Sequence, residues 1–219
     1  MSKFSKQQFE CPHCKHQGEF TMYESVNVTL DPSLREKVFS GELFKWTCPS
    51  CDKEVTILYN MLYHDMTNKF MIMFAPSGIE AINEQYNDLL KRYPGMRNSL
   101  YRSVDNLNDL KEKILILENE LNDIAIELAK VLVKYDKNEK LPAGSKLLFE
   151  RVIKNKDDVS KDSLILRVLL NDVPQKSMVV IGREQYDRYL SFVQENDSLQ
   201  MENYCDTINE QWILSRIVH

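Results

Sequence analysis

The sequence has no apolar run that approaches the length of a membrane-spanning helix, and residues 1–6 lack the apolar core of a secretion signal. We therefore expect a cytoplasmic protein without a membrane segment. Residues that carry hydrolytic chemistry are also scarce, since no Walker motif, Ser/His/Asp set or paired-carboxylate signature follows Asp65. The sequence contains only four histidines, which are His13, His16, His64 and His219.

An excess of basic charge is absent as well. The chain carries 28 Lys and Arg against 33 Asp and Glu, which gives a net charge of −5 at pH 7 that is spread along the sequence. A surface that binds nucleic-acid phosphates needs clustered Lys and Arg. Nucleic acid is therefore an unfavoured partner.

Cysteine is used sparingly and in a pattern. Four of the five cysteines form two close pairs, and Cys205 stands alone near the C-terminus. This arrangement fits a reducing compartment better than a disulfide framework. We expect Cys205 to be a small core residue, because no nucleophile signature surrounds it.

The two pairs are Cys11-Pro12-His13-Cys14 and Cys48-Pro49-Ser50-Cys51. Zinc binds four thiolates in a tetrahedron, and a gap of two residues lets one tight turn direct two sulfurs at one ion. The sequence therefore predicts one structural Zn²⁺ per chain, held by Cys11, Cys14, Cys48 and Cys51. Four thiolates leave no open position for water, which argues against zinc hydrolase chemistry.

Thiol–disulfide redox chemistry is an alternative interpretation of Cys11-Pro12-His13-Cys14. Strongly oxidising thioredoxin-like proteins carry this motif, with a buried strand before it and a helix after it. Here residues 15–20 lead into a strand pattern instead, and a dithiol oxidase has no use for the second pair. The redox interpretation is the weaker one.

Residues 1–76 form a predicted N-terminal zinc-ribbon-like domain with an antiparallel sheet. Residues 19–30 alternate between apolar and polar, which is typical of a half-buried strand. Asp31-Pro32 and Gly41 are the start and stop signals of a short helix. Further strands are expected at residues 43–47, 54–63 and 69–74, and the metal should contribute directly to the folding of so small a sheet.

This region resembles the CpXC family, a bacterial and archaeal domain named for two Cys-Pro-x-Cys pairs and without an assigned function. The resemblance rests on both cysteine pairs, on residues 25–32, on the turn at residues 41–43 and on residues 62–65, and it spans Phe9 to about Pro76, the N-terminal third of the chain. Lys15 and Asp52 stand where such hairpins commonly carry glycine, so a positive φ is expected at both. Lysine there would cost about 1 kcal/mol.

The resemblance also draws attention to His64 and Asp65, which are adjacent. Neighbouring residues in a strand point to opposite faces, so a catalytic dyad requires a turn to begin there. A hydrogen-bonded structural histidine is favoured. An enzyme or nucleic-acid-processing factor with a site near these two residues is the alternative function.

Residues 77–138 form a predicted helical connector. A helix is expected from Ser77 to about Arg92. From Leu107 to Tyr135 apolar residues then advance by three and four in strict alternation, as in a heptad coiled coil. An internal hairpin with residues 78–92 and a coiled coil between chains both remain open, with a homodimer slightly favoured. We expect self-association, or a protein partner, to use the helix at 98–136.

Residues 139–219 form a predicted small α+β unit. Strands are expected at residues 146–153, 163–170 and 177–181, followed by a helix at 183–195. The last segment, residues 204–218, is expected to be either a strand followed by an irregular end or a strand alone. The whole chain is thus predicted to be an α+β protein, with the ribbon first, the helical connector second and the α+β unit last. Its expected function is that of a structural-zinc-binding protein-interaction module.

Overall fold

The computed structural model describes residues 1–136 and 141–217, and it divides into two compact units. Unit 1 is Met1–Lys111 and unit 2 is Glu112–His219. Helices and sheets occur in both, which confirms the α+β class. In the part of the chain that is described, no helix combines the length and the apolar character that crossing a membrane requires.

Unit 1 is built mainly from strands. Its strands and helices are, in chain order, β1 Lys3–Glu10, β2 Gln17–Asn27, α1 Ser33–Ser40, β3 Lys45–Thr47, β4 Glu54–Thr56, β5 Met61–Asp65, β6 Phe70–Phe74, α2 Ile79–Arg92 and β7 Leu100–Val104. Short 3-10 turns lie at Glu42–Phe44 and Pro94–Met96. The strand predicted at residues 43–47 thus begins as a 3-10 turn, and the one at 54–63 is two separate strands.

Five strands of unit 1 lie side by side in the order β1-β2-β5-β6-β7, and β3 and β4 form a separate two-stranded sheet. The β1–β2, β3–β4 and β5–β6 pairs are antiparallel hairpins, as predicted for this region. The β2–β5 and β6–β7 pairs are parallel, because α1 and α2 lie in the connections between them. The larger sheet is therefore mixed.

Aromatic side chains fill the core of unit 1. The ring of Phe44 packs 5.2 Å from that of Tyr59 and 5.3 Å from that of Phe74, and Tyr63 stacks on Phe70 at 6.1 Å. The Tyr59 hydroxyl donates to the carbonyl of Leu43 at 3.0 Å. This core joins the 3-10 turn before β3 to the larger sheet.

Unit 2 places helices on one face of a three-stranded sheet. Helix α3 Leu107–Glu118 begins in unit 1 and ends in unit 2, and the later elements are α4 Asp123–Tyr135, β8 Lys146–Ile153, β9 Ser163–Leu170, β10 Val173–Gly182, α5 Arg183–Glu195, β11 Cys205–Asp206 and α6 Glu210–Ile217. Further 3-10 turns lie at Val159–Lys161 and Asp197–Leu199. The sheet order is β10-β9-β8, with antiparallel pairs.

The core of unit 2 lies between this sheet and α4, α5 and α6. Leu164, Leu166 and Val168 on β9 alternate toward the helices, and Val179 and Ile181 do so on β10. The three strands and the helix predicted for this region are confirmed. The strand predicted at the start of the final segment is present as the short β11, but the rest was predicted wrongly, because Glu210–Ile217 form the helix α6.

The prediction of one helix at 98–136 is wrong. Residues 100–104 form β7, and the remainder is two helices separated by residues 119–122. Glu120 has a φ of 55°, which no helix tolerates, and the side chain of Asn122 accepts a hydrogen bond from the Ala125 N–H to begin α4.

The apolar stripe of these two helices is buried within the chain. Its buried members are Leu110, Ile114, Leu117, Leu121, Ile124, Leu128 and Val131. A stripe that already packs against its own chain has no free seam for a second helix, so the coiled coil is not confirmed. The domain borders predicted after residues 76 and 138 stay predictions, and residue 138 lies outside the described residues.

Candidate metal centre

The first cysteine pair lies in the turn of the β1–β2 hairpin. The Lys15 N–H donates to the Cys11 carbonyl at 2.9 Å, and the Cys11 N–H donates to the His16 carbonyl at 2.9 Å. Lys15 has a φ of 63°, so the chain turns back immediately after Cys14. The positive φ expected at this position is present.

The second cysteine pair lies in the turn of the β3–β4 hairpin and repeats the same geometry. The Asp52 N–H donates to the Cys48 carbonyl at 2.9 Å, and the Cys48 N–H donates to the Lys53 carbonyl at 3.0 Å. Asp52 has a φ of 55°. The two hairpins therefore share one backbone conformation, which presents both sulfurs of each pair on one side of a turn.

Trp46 on β3 holds the two hairpins together. Its ring packs edge-on against Phe9 of β1, with the centroids 5.1 Å apart, and its Nε1–H donates to the Glu19 carbonyl of β2 at 3.1 Å. Gly18 lies beneath the ring, where a Cβ would come within 2.5 Å of Trp46 Cζ2. The absence of a side chain at residue 18 thus permits this packing.

The four sulfurs meet where the two turns face each other. All four lie within 4.8 Å of one another. The Sγ atoms of Cys11 and Cys51 are 3.7 Å apart, and those of Cys14 and Cys48 are 3.5 Å apart, so no disulfide joins them. A tetrahedral ion with metal–sulfur bonds of about 2.3 Å places its sulfurs about 3.8 Å apart, close to both separations. The donor set therefore fits one tetrahedral ion.

The hairpins also tune the thiols. Burial raises the pKa of Cys11, but hydrogen bonds from the N–H groups of Cys14 and His13 outweigh it and lower the pKa to about 7. The Lys53 N–H lowers the pKa of Cys51, whereas burial and the neighbouring sulfurs raise it to about 12. The backbone thus favours the thiolates of Cys11 and Cys51, whereas the neighbouring sulfurs favour ionisation of Cys11 and oppose that of Cys51. A bound cation would remove that opposition.

The cluster is open to solvent on one side. Cys11 and Cys48 are fully buried, Cys51 is half-buried and Cys14 is exposed. The redox interpretation requires a helix directly after the first pair, and β2 follows instead. The redox interpretation therefore stays a prediction, and the first pair lacks the helix N-terminus that activates the thiol in such proteins.

Asp65 serves the turn between β5 and β6. Its carboxylate accepts hydrogen bonds from the Asn68 backbone N–H at 3.0 Å and from Asn68 Nδ2 at 2.7 Å. His64, next to it on β5, lies 3.4 Å from Asn27 Nδ2 through its Nδ1. Burial lowers the pKa of His64, the positive chain N-terminus lowers it further, and Asp65 opposes both effects.

Asp65 is thus bonded within the β5–β6 turn, and His64 lies beside Asn27 of β2. The groove described in unit 1 lies elsewhere, between β2 and the segment that leads into β3, and neither residue lines it. Its charged side chains Glu19, Lys37 and Lys45 are paired with neighbours on the surface. The alternative function near His64 stays a prediction without support from these contacts.

A buried charge cluster in unit 2 was not predicted from the sequence. Lys130 Nζ on α4 lies 2.9 Å from both carboxylate oxygens of Glu112 on α3 and 2.8 Å from Glu127 Oε1. Lys113 Nζ lies 2.9 Å from Asp123 Oδ2. All five side chains are nearly inaccessible to solvent. A sequence signal existed, since Ile126 and Val133 lie off the apolar stripe, which indicates that more than one face of α4 is covered and that charged residues on it can be buried.

This cluster contains one carboxylate more than it has ammonium groups. Burial raises the pKa of Glu127, the ammonium group of Lys130 lowers it, and the carboxylate of Glu112 raises it. The pKa that results is about 7. For Lys130 burial lowers the pKa, but the two carboxylates outweigh burial and raise it. The arrangement is closed to solvent and links α3 to α4.

The family of the chain follows from its sequence. The family model described as CpXC protein matches residues 9–130, which extends well past the end predicted near Pro76 and into α4. No curated protein and no solved structure matches the chain. Because the match covers more than half of the chain and includes both cysteine hairpins, this protein belongs to the CpXC family.

Proposed function

We propose that this chain is a structural-zinc-binding protein-interaction module of the cytoplasm. The observation that carries the proposal is the meeting of two hairpins of the same conformation, whose cross-hairpin sulfur separations of 3.5 and 3.7 Å match the edges of a zinc–thiolate tetrahedron. Zinc bound there would link the two hairpins. Four protein ligands complete its coordination, so the role is structural.

The same distances favour a single tetrahedral ion over a cluster of several ions, and zinc is the ion that we propose. A tetrahedral set of four sulfurs is typical of zinc or of a single iron. Iron–sulfur clusters with several irons would hold the four sulfurs farther apart than the observed 4.8 Å limit. The reducing conditions of the cytoplasm would keep the exposed Cys14 from forming a disulfide, so that it remains available to bind a metal.

Interaction with protein is favoured over catalysis and over binding of nucleic acid. The described grooves are shallow, and the titratable side chains near His64 are committed to a turn. The net charge of −5 does not favour nucleic acid as a partner. Sheet edges and exposed apolar side chains are the features left for a partner.

The test is elemental mass spectrometry of the purified protein, combined with thermal unfolding before and after a strong chelator. We expect one zinc per chain and a large fall in melting temperature on chelation. Cys14→Ser should lose the zinc, and Cys205→Ala, which changes a buried cysteine of unit 2 outside the cluster, should keep it. A metal-free protein whose melting is unchanged by the chelator would contradict the proposal, and iron in place of zinc would correct the metal.

A further inference from the structure

The outer edge of β10 is unpaired. Strand β10 is the first in the order β10-β9-β8, and among the described residues of the sheet it pairs only with β9. Such an edge presents backbone N–H and C=O groups that can accept another strand. The chemistry that satisfies this edge is therefore that of an extended polypeptide backbone.

The two halves of β10 differ in whether they carry features that block the addition of a strand. The first half contains Pro174 and Lys176, and its register with β9 is irregular between Pro174 and Met178. Proline, lysine and irregular register are the features by which natural sheets block added strands. Residues 178–182 have none of these features and pair regularly with β9.

The second half also exposes apolar side chains. Met178 is 46% exposed and Val180 is 61% exposed, on the face opposite to Val179 and Ile181, which are buried in the core. Residues 178–182 thus combine an open backbone edge with an apolar surface.

We propose that residues 178–182 pair antiparallel with the same segment of a second copy of this chain, about a two-fold axis at Val180. This pairing places Val180 opposite Val180 and Met178 opposite Gly182. The long side chain of Met178 therefore faces a glycine, which leaves room for it. The segment carries no charge, and it therefore meets itself without repulsion between like charges. Two three-stranded sheets become one continuous sheet of six strands.

The inference rests on the interaction role proposed above and names its partner as a second copy. It also moves self-association away from helices α3 and α4, whose apolar stripe is buried within the chain. A strand from a different protein is the competing occupant, and it predicts a chain that stays monomeric when purified alone.

The test is sedimentation equilibrium of the full chain from nanomolar to high micromolar concentrations. Three single variants are compared with wild type: Val180→Lys, Val180→Glu and the matched control Ile153→Lys. Ile153 is 50% exposed at the end of β8, on the opposite edge of the same sheet. Circular dichroism checks that each variant keeps its fold.

We expect a reversible wild-type dimer, unchanged in Ile153→Lys. Each charged variant at residue 180 places like charges directly opposite each other and should weaken dimerisation by roughly tenfold or more. An equimolar mixture of Val180→Lys and Val180→Glu should recover the dimer, because opposite charges then meet at the axis. A monomeric wild type, dimers of the charged variants at wild-type strength, or a mixture that stays monomeric would overturn the inference. Zinc measured on the same samples separates the outcomes, since a zinc-loaded monomer contradicts only the β10 pairing and a metal-free dimer contradicts only the zinc-held module.

Discussion

Trp46 occupies the space in which a side chain at residue 18 would lie. The distance from an added Cβ at Gly18 to Trp46 Cζ2 is 2.5 Å, shorter than real contacts allow. The ring cannot move freely, because it packs on Phe9 and donates to the Glu19 carbonyl. One glycine on β2 therefore controls how closely the second hairpin approaches the first.

Gly18→Ala should destabilise the protein and weaken its hold on the metal. Overpacking of this kind costs about 1–3 kcal/mol, and displacement of Trp46 would shift the second cysteine pair from the first. Urea unfolding measures the stability, and competition with a chromogenic chelator measures metal affinity. Gly95→Ala is the control, because its added Cβ meets nothing within 4 Å. Equal effects of the two substitutions would contradict the role given to Gly18.

The stability of variants at residue 15 should follow how well the new residue tolerates a positive φ. Lysine costs about 1 kcal/mol in the left-handed conformation, and glycine removes this cost. The gain in stability is partly offset because glycine gives the unfolded chain more conformational freedom. Lys15→Gly should therefore be at least as stable as wild type, and Lys15→Val should be less stable by more than about 1 kcal/mol. Thermal unfolding of the metal-loaded proteins gives the order. Asp52→Gly should change less, since aspartate tolerates this conformation, and a valine variant as stable as the glycine variant would contradict the backbone described here.

Lys130→Met should be severely destabilising. It leaves the carboxylates of Glu112 and Glu127 buried without their shared ammonium group, and breaking a buried ion pair from one side costs about 3–5 kcal/mol. Lys134→Met, one helical turn later, removes a partly exposed pair with Glu210 and should cost at most about 1 kcal/mol. The urea midpoints of the two variants measure this difference. Similar losses of stability would contradict the larger effect expected at Lys130.

Glu127→Gln should change how stability depends on pH. The ordinary pKa of 4.5 is raised to about 7 in the folded chain, so between these values the unfolded chain releases a proton that the folded chain keeps. The contribution of Glu127 to stability is therefore present below pH 4.5 and declines as the pH rises toward 7. Glutamine has no such proton.

The quantity to measure is the free energy of unfolding of wild type minus that of Glu127→Gln. It should fall between pH 4.5 and 7 and level off above that range. Taking the difference cancels the titration of the cysteine thiols, which both proteins share. A difference that is constant or that increases with pH would contradict the assignment.

The geometry of each cysteine hairpin was predictable because its determinants are local. Each Cys-Pro-x-Cys segment specifies its own turn, and the left-handed residues Lys15 and Asp52 follow from that turn. The strands at residues 146–153 and 163–170 were predictable for a similar reason, since clear apolar stretches are bounded by charged turns. The packing of Trp46 over Gly18 was not, because nothing in the sequence spacing relates β3 to β2.

The helices at 107–135 show what a regular pattern conceals. Apolar residues continue to advance by three and four across residues 119–122, although Glu120 adopts a left-handed conformation and the helix stops there. Counting apolar positions also ignores Glu112 and Lys130, whose ion pair joins the two helices away from the apolar stripe. Strand β1 was missed because most of its residues are polar and exposed, so it lacks the apolar alternation that marked β2.

The matching hairpins divide the formation of the cysteine cluster into local and distant parts. Each hairpin positions its own two sulfurs through contacts between residues close in sequence, which form quickly in a folding chain. Bringing Cys14 to Cys48 instead closes the long loop at residues 15–47, which includes α1, and this closure carries the larger entropic cost. A metal that links the hairpins would therefore act as a cross-link that restricts the unfolded chain, much as a disulfide does.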